Sequence, residues 1–448
     1  MNHKVPQRRL VFLLPLGLCW GAASVAPAAT DPRGTDARAM IPAGEPDRPE
    51  RDRLLGDVGG HRSNLESRGI AFEFSWTHVA QGVIRGGERR DWDLCGNADL
   101  LIEADLEALR LAPGGSLAVR LESRYGETVN DDSGAFSPVN TRGYFPLTDR
   151  ENEGIPFTIT ELNYTLPVGE TVEVTVGKML MYEGDPVEFA GGGGKTQFLN
   201  SNFIYNASAS LPAPYSTLGL EAAWTPDPAV TFSAAIFSTA DSSTTTGFDH
   251  LDDGWTVWGQ ADTRYRMAGL PGGVNAGFLY AFQGEFVRLG GWMEPGEDGS
   301  DSPTAGETWS VFAGLWQYVH TIDQAPDEID ASDAHADLRG LGIFARVGFA
   351  DRETNPAQCS LSVGLGGRGL ILGRDDDTYG VGYYSTDVVK SLPMAEPGVK
   401  PAWRGVEVFY SVALTPAARV TGDVQWIDDG AVGTAAATVI GLRLNLEF

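Results

Sequence analysis

The sequence is poor in cysteine and in basic residues, and it has no long apolar run after residue 20. It holds 3 Cys in 448 residues, and its 33 Lys and Arg stand against 60 Asp and Glu, for a net charge of -27. Phosphate recognition needs clustered basic side chains, so this composition argues against a nucleic-acid partner. A transmembrane helix needs ~18 or more apolar residues, so a helical membrane protein is excluded.

The N-terminus has the composition of an export signal. Three basic residues precede the apolar stretch Leu10–Trp20, and small residues follow at 26–29. This plan predicts a signal peptide over residues 1–29. Residues 30–54 are rich in Pro and charge and cannot bury enough apolar surface to offset the entropy of ordering, so we predict a flexible periplasmic segment there. Residues 55–448 then form the folded domain.

Apolar and polar residues alternate with a period of two from Ile70 to the end of the chain. Phe72, Phe74 and Trp76 share one face of the first run, and Glu73, Ser75 and Thr77 lie on the other. A period of two is that of a β-strand with two different environments. The stretch 56–69 before the first run begins and ends with Gly and is compatible with a short helix.

Connection lengths and the chain end distinguish a membrane barrel from a soluble sandwich. Tight turns are expected at 113–114, 226–228, 271–273 and 415–417, and long acidic outer loops at 128–156, 238–254, 290–308 and 321–339. The last run is amphipathic and finishes in Phe448, as outer-membrane barrels do. The sequence therefore predicts an all-β fold. We expect an outer-membrane antiparallel β-barrel of about 16 strands with a short N-terminal helical segment, in the cell outer membrane of a Gram-negative bacterium.

Several short motifs, in order along nearly the whole mature chain, resemble the carbohydrate-selective porin family OprB. They are Leu55–Gly60 with Arg68–Ile70, Gln81–Val83, Ile159–Tyr164, Val176–Lys178, Gln197–Ser201, Leu341–Gly348, Asp376–Tyr383, Val424–Ile427 and Gly441–Arg443. The resemblance implies a 16-strand porin barrel over 55–448, with passive, sugar-favouring diffusion past an inward-folded loop and a narrow charged eyelet.

A sugar-selective pore needs hydrogen-bonding groups that replace water around the solute. Alternation directs charged side chains of several strands into the lumen, where we expect Arg120, Arg124, Glu161, Arg264 and Arg346 to form a charge ladder. The remaining pore-lining candidates are Glu122, Asn163, Lys178, Phe198, Asn200 and Asp262. For each candidate the alternative is a solvated lumen residue without a role in specificity.

Two of these candidates depend on local geometry. Strict alternation directs Lys178 towards lipid, and a bulge at Gly177 would turn it inward. Phe198 and Asn200 follow the run Gly191–Gly194, whose conformational freedom would allow the loop to fold into the barrel. A mobile external loop is the equal alternative.

Motifs of catalysis and of cofactor or metal binding are incomplete. Gly191–Thr196 lacks the first Gly of a phosphate loop, and Asp375–Asp377 lacks the spacing of a calcium loop. The His residues accompany no nucleophile elbow. We therefore predict no enzyme, no cofactor and no metal site. Cys95 and Cys359 could form a disulfide after export or remain unpaired.

The leading functional prediction is passive diffusion of sugars and other small solutes. A general or cation-preferring small-solute porin is the alternative, and a surface-exposed barrel used for adhesion is a third. The expected partners are outer-membrane lipid and lipopolysaccharide, small sugars, the barrel assembly machinery and, as an open alternative to a monomer, a homotrimer.

Overall fold

The computed structural model describes residues 53–144, 157–181, 187–289, 303–323, 338–389 and 398–448. The strands in these ranges are β1 Ile70–Arg85, β2 Trp92–Asp105, β3 Ser116–Gly126, β4 Thr158–Val168, β5 Val172–Leu180, β6 Ser216–Asp227, β7 Val230–Ser238, β8 Trp255–Met267, β9 Leu270–Val287, β10 Thr304–Thr321, β11 Gly340–Ala350, β12 Ala357–Arg368, β13 Thr378–Val388, β14 Ala402–Thr415, β15 Ala418–Asp428 and β16 Ala437–Glu447. Neighbouring strands pair antiparallel and β1 pairs with β16, so the sheet is a closed barrel. The predicted all-β barrel of about 16 strands is confirmed.

Short helices accompany the strands. They are α1 His61–Glu66, α2 Asn130–Ser133, α3 Thr141–Tyr144 and α4 Ser201–Ile204, with 3₁₀ turns at Val58–Gly60, Ala207–Ala209 and Phe248–His250. The predicted helical segment before the barrel corresponds to α1 and the turn before it. None of the helices in the described ranges is long and apolar enough to cross a membrane. The predicted signal peptide and residues 30–52 lie outside the described residues.

The alternation in the sequence gives the barrel its two faces. Ser75 and Thr77 of β1 are buried inside, whereas Trp76 between them is exposed on the outer face. The same outer face also carries a polar group, since Trp76 Nε1 donates to Tyr125 Oη (2.5 Å) and this hydroxyl lies 3.1 Å from His78 Nε2. An apolar outer band with a polar interior is the arrangement of a membrane barrel.

Two expectations about the connections are wrong. Pro271–Gly273 lies inside β9, and the turn that precedes this strand is at Ala268–Gly269. The segment 321–339 was expected to be an outer loop, but Gln317 near the end of β10 pairs with Gly272 near the start of β9. This connection therefore begins at the end of the barrel that carries the tight turns. The length and acidity of the segment misled the prediction. Water surrounds both ends of the barrel, so a long polar connection is compatible with either end.

Apolar clusters lie inside the barrel, one around Phe237 of β7 and Trp258 of β8 and a second on the inner faces of β10 to β14. Phe198 and Phe203 from the connection between β5 and β6 pack against Phe344 of β11 and Phe409 of β14. The wall is lined with Gly where these rings approach. A Cβ on Gly382 would lie only 2.5 Å from the ring of Phe203. The barrel interior is therefore partly a packed core, with the wall glycines providing the space for the rings.

Cys95 and Cys359 are both free cysteines. Cys95 is buried and accepts a hydrogen bond from Asn140 Nδ2 at 3.3 Å. Of the two alternatives left open by the sequence, the structure shows the unpaired one.

Candidate pore and its infolded segments

Two stretches of chain between strands fold into the lumen. The first infolded segment is 128–144, between β3 and β4. The second infolded segment is 187–215, between β5 and β6. Inner-facing polar side chains of the wall bond to their main chains, and these contacts leave only part of the lumen accessible to water.

Side chains of β15 and of the connection after it hold the first infolded segment. The carboxylate of Asp429 accepts from the main-chain N–H groups of Phe136 and Ser137, each at 3.1 Å. Gln425 Nε2 donates to Val139 O at 2.9 Å. Burial raises the pKa of Asp429 to about 6, although the hydrogen bonds from residues 136 and 137 act in the opposite direction. The segment is thus fixed through its backbone.

Charged side chains on β14, β16 and β11 hold the second infolded segment. Glu407 accepts from the N–H groups of Leu199 (2.7 Å) and Asn200 (2.9 Å). Arg443 donates to Gly194 O at 2.9 Å and also to the carbonyl of residue 197. Arg346 donates to the carbonyl of residue 203 at 2.6 Å. Hydrogen bonds with one ionised partner are stronger than neutral ones, so the loop is firmly attached. The sequence left two alternatives for the loop that contains Gly191–Gly194, a fold into the barrel and a mobile external loop. The structure shows the fold into the barrel.

Glu407 and Arg443 were missed among the candidates, although the sequence contains a signal for both. Each is a single charge between apolar neighbours in a strongly alternating strand, with Val406 and Val408 on either side of Glu407. Such a residue must face the lumen. Alternation gives its direction only, and the loop that it holds is distant in sequence.

An ion-pair chain runs across β2, β3 and β4 on the inner wall. Lys195 Nζ of the second infolded segment lies 2.7 Å from Asp99 Oδ2, and Asp99 also pairs with Arg120 at 3.0 Å. Arg120 Nε in turn contacts Glu161 Oε2 at 3.1 Å, and Glu161 Oε1 accepts from Asn163 at 2.8 Å. The two ends are the most accessible members, with side-chain exposures of 21% for Lys195 and 18% for Glu161. A solute would therefore meet one cation and one anion.

Within the predicted charge ladder, Arg120 and Glu161 are in direct contact. Arg124 lies in a separate buried group, where it donates to Tyr215 Oη at 2.7 Å and lies 3.6 Å from Glu122. Tyr215 donates to the same Glu122 at 2.6 Å. This group ties β3 to the end of the second infolded segment.

The other ladder members have different surroundings. Arg264 lies over the ring of Trp316, 4.9 Å from its centroid, and Arg346 holds the infolded chain as described above. Asp262 accepts from Gln260 Nε2 at 2.8 Å and is partly accessible. Arg264 is therefore positioned by an aromatic ring, whereas Asp262 faces the open lumen.

Lys178, Phe198 and Asn200 lie away from the accessible lumen. Strand pairing runs through Gly177 without a shift, so Lys178 stays on the outer face beside Leu162, as strict alternation predicts. Its ammonium is buried and donates to Thr245 O at 2.9 Å. Phe198 is fully buried, and Asn200 caps α4 by accepting from the N–H of residue 202 at 3.1 Å. Phe198 and Asn200 hold the loop in shape.

The accessible part of the lumen lies against one side of the barrel. We call the inner faces of β4 to β8 the open wall and those of β11 to β16 the anchoring wall. Many polar inner-face residues of the open wall are partly accessible, although Asn163, Gln260 and Arg264 on the same wall are buried. The partly accessible residues are Glu161, Thr165, Glu173, Thr175, Glu221, Thr225, Thr231, Ser233, Asp262 and Arg266. On the anchoring wall the corresponding residues are buried, among them Arg346, Ser362, Glu407, Asp423, Gln425 and Arg443. Water and solute would therefore pass along the open wall.

Comparison with known proteins identifies similar chains. Residues 90–448 match the family model described as carbohydrate-selective porin, OprB family. The high-pH structure of Pseudomonas putida OprB aligns with 18% identity and a TM-score of 0.74, covering 89% of this chain and 99% of that one. The low-pH structure of the same protein aligns over the same shares with 15% identity and a TM-score of 0.54. At these identities the likeness is one of fold. No curated protein matches the sequence significantly.

Proposed function

The chain belongs to the OprB family of carbohydrate-selective porins, and from this membership we propose that it forms a water-filled channel for passive diffusion of sugars and other small solutes across the outer membrane of a Gram-negative bacterium. The observation that carries the proposal is the open wall, a polar and partly accessible surface beside a lumen largely filled with chain. Family and fold are those of a channel rather than of an enzyme.

The ion-pair chain supports a preference for neutral, hydroxyl-rich solutes. A sugar gives up water when it enters a narrow pore, and the wall must offer donors and acceptors in its place. Lys195 and Glu161 supply both at the two accessible ends of the chain. Both are already paired through Asp99 and Arg120, so a neutral solute can bond to them without bringing a counter-ion. Of the candidates proposed from the sequence, Glu161 and Asp262 remain those best suited to line the pore, and the buried Arg120 and Asn163 position Glu161.

Liposome swelling tests this function directly. Vesicles containing the full-length mature protein should swell faster in monosaccharides than in amino acids of similar size. Glu161→Gln should slow sugar entry several-fold because it removes a charged acceptor at the accessible end of the chain. Glu353→Gln is a matched control, since Glu353 forms an exposed pair with Arg288 between strands at the barrel end. Equal rates for sugars and amino acids would contradict sugar selectivity, and equal rates for the two variants would remove Glu161 from the selective surface.

A cation preference is the second candidate, favoured by the charges of the open wall. Glu161, Glu173, Glu221 and Asp262 are partly accessible there, against Arg266. Reversal potentials measured in a salt gradient would separate this function from neutral-solute diffusion. Glu221→Gln should reduce any selectivity for cations, and an unchanged reversal potential would count against the open wall as its source.

The partners beyond sugars are proposals with separate supports. The apolar outer band suits membrane lipid, the acidic connections suit lipopolysaccharide bridged by divalent ions, and the terminal Phe448 suits the barrel assembly machinery. A homotrimer is supported by the polar group of Trp76, His78 and Tyr125 on the largely apolar outer face, because membrane interfaces use polar contacts and small residues. Cross-linking in native membranes would detect the trimer, and His78→Leu should weaken it. If the wild type and His78→Leu are both monomeric, this interface does not form.

A further inference from the structure

An apolar pocket of about 620 Å³ lies on the outer face of the barrel, beneath the N-terminal helix α1. Leu55 and Leu65 line it from the helical segment. Phe72 of β1 and Ile102 of β2 line it from the barrel, and Phe448 closes one end. Phe72 and Ile102 are paired neighbours that alternate with inner-face residues, so the pocket opens on the lipid side of the wall. It is separate from the pore.

The pocket lies at the level where the barrel meets the membrane surface. It is formed by the first residues of β1 and the last residue of the chain, at the end that carries the tight turns. At the same end, Trp224 and Phe232 stack at 5.5 Å on either side of the β6–β7 turn. Aromatic side chains form such belts at the membrane–water interface. A hydrophobic opening at this height faces the chains and head groups of the periplasmic leaflet.

One cation lines the otherwise apolar pocket. Arg62 is 7% exposed, and its two terminal nitrogens donate to the main-chain oxygens of Phe72 (2.7 Å) and Phe448 (2.8 Å). Its Nε is buried without a hydrogen-bond partner among the described residues. A buried donor without a partner is costly, and a small movement of the Arg62 side chain towards an acceptor on a ligand would recover that cost. An anionic oxygen is the best acceptor for a guanidinium.

Exposed apolar residues extend the pocket along the helical segment. Leu55 is 58% exposed and Val58 is 45% exposed. If the segment lay away from the membrane, these apolar side chains would face water. A short helix with apolar residues towards the barrel and the lipid, and charges towards water, suits an interfacial position. The pocket is thus continuous with the lipid-facing surface of the barrel.

We propose that this pocket is a binding site for one phospholipid of the periplasmic leaflet, with an acyl chain between α1 and the barrel and the phosphate next to Arg62. The bound lipid would fix the N-terminal segment over the seam where β1 and β16 meet. Phe448 N donates to Phe74 O (2.8 Å) at that seam, and the part of β1 before Phe74 has no strand partner on that side among the described residues. The site lies outside the pore, so it is independent of the solute that the channel carries.

Photo-crosslinking tests the site on the full-length mature protein in nanodiscs. The probe is a phosphatidylglycerol with a diazirine in one acyl chain, and the adducts are mapped by mass spectrometry after proteolysis. We expect adducts on residues 55–74 in several-fold excess over 224–232, an outer-face region at the same height without a covering helix. Leu65→Trp, which fills the pocket, should remove the excess. Leu111→Trp, on the exposed β2–β3 turn at the same end, should leave it unchanged.

Three outcomes would overturn the proposal. Equal labelling of the two regions would mean ordinary contact with bulk lipid. An excess that survives Leu65→Trp would place the lipid elsewhere. Equal labelling by a diacylglycerol with the same photoreactive chain would exclude the phosphate contact. Liposome swelling with the same purified proteins, reconstituted into vesicles, separates these results from a failure of the channel. Leu65→Trp should admit solute as the wild type does.

Discussion

The anchoring wall and the open wall have similar alternating sequences but use their inner-face charges differently. On the anchoring wall, Glu407 and Arg443 are fully buried and bond to the main chain of the second infolded segment. On the open wall, Glu161 and Asp262 are partly accessible and bond to other side chains. A lumen charge therefore has one of two roles. It either holds the loop that narrows the pore, or it faces the solute, and strand alternation gives no means of distinguishing the two.

Removing an anchor should have the largest effect. Glu407→Leu deletes the acceptor of two buried N–H groups. Leaving two buried donors without an acceptor costs about 2–5 kcal/mol, so we expect a loss of that order in the free energy of unfolding. Single-channel conductance should rise and sugar discrimination should fall, because the second infolded segment is released. Glu353→Gln, at the exposed pair, should change neither quantity. Normal conductance in Glu407→Leu would mean that the loop does not need this anchor.

Asp429 should make the first anchor sensitive to pH. Burial raises its pKa in the folded protein from the usual 3.8 to about 6, so the folded state binds the proton more tightly than the unfolded state does. Its stabilising contribution is complete below about pH 3.8 and is lost as the pH rises through about 6, a change of about 1–3 kcal/mol. When stability is measured by thermal unfolding from pH 4 to pH 7, the wild type should lose this contribution as the pH rises, and Asp429→Asn should not. If both proteins show the same dependence of stability on pH, the dependence comes from other groups.

The glycines of the anchoring wall that face the rings of the second infolded segment should tolerate no larger side chain. Gly382→Ala introduces a Cβ that would lie 2.5 Å from the ring of Phe203, and overpacking of this kind costs about 1–3 kcal/mol. Gly422 is the control, since a Cβ there would meet nothing within 4 Å. Urea or heat unfolding of the two variants in detergent would measure the difference. Equal stability would show that the loop can shift away from the wall without cost.

The sequence was sufficient for the barrel but not for the division of its interior. Alternation in β1 predicted Ser75 and Thr77 inside and Trp76 outside, because the direction of a side chain in a strand depends only on local parity. It could not predict that Arg346 and Glu407 would be covered, since the covering chain comes from residues more than 140 positions earlier in the sequence. Phe198 was expected at the eyelet for the same reason: local freedom indicated an inward loop but not which of its residues would be buried.

Lys195 should separate the two roles most clearly, although its effect on stability is the smallest. It belongs to the second infolded segment, yet it points to the ion-pair chain and is 21% exposed. Its partner Asp99 is buried but keeps Arg120 as a second partner, so we expect the loss of the Lys195 pair to cost about 1–2 kcal/mol. Lys195→Gln should therefore unfold within that range of the wild type. Because it removes the accessible cation, it should still change sugar entry several-fold in liposome swelling and shift the reversal potential towards cations. Glu407→Leu should alter folding and conductance together, whereas Lys195→Gln should alter permeation alone. If Lys195→Gln also loses several kcal/mol of stability, the ion-pair chain is an anchor, and the division between the two walls does not extend to β2 and β3.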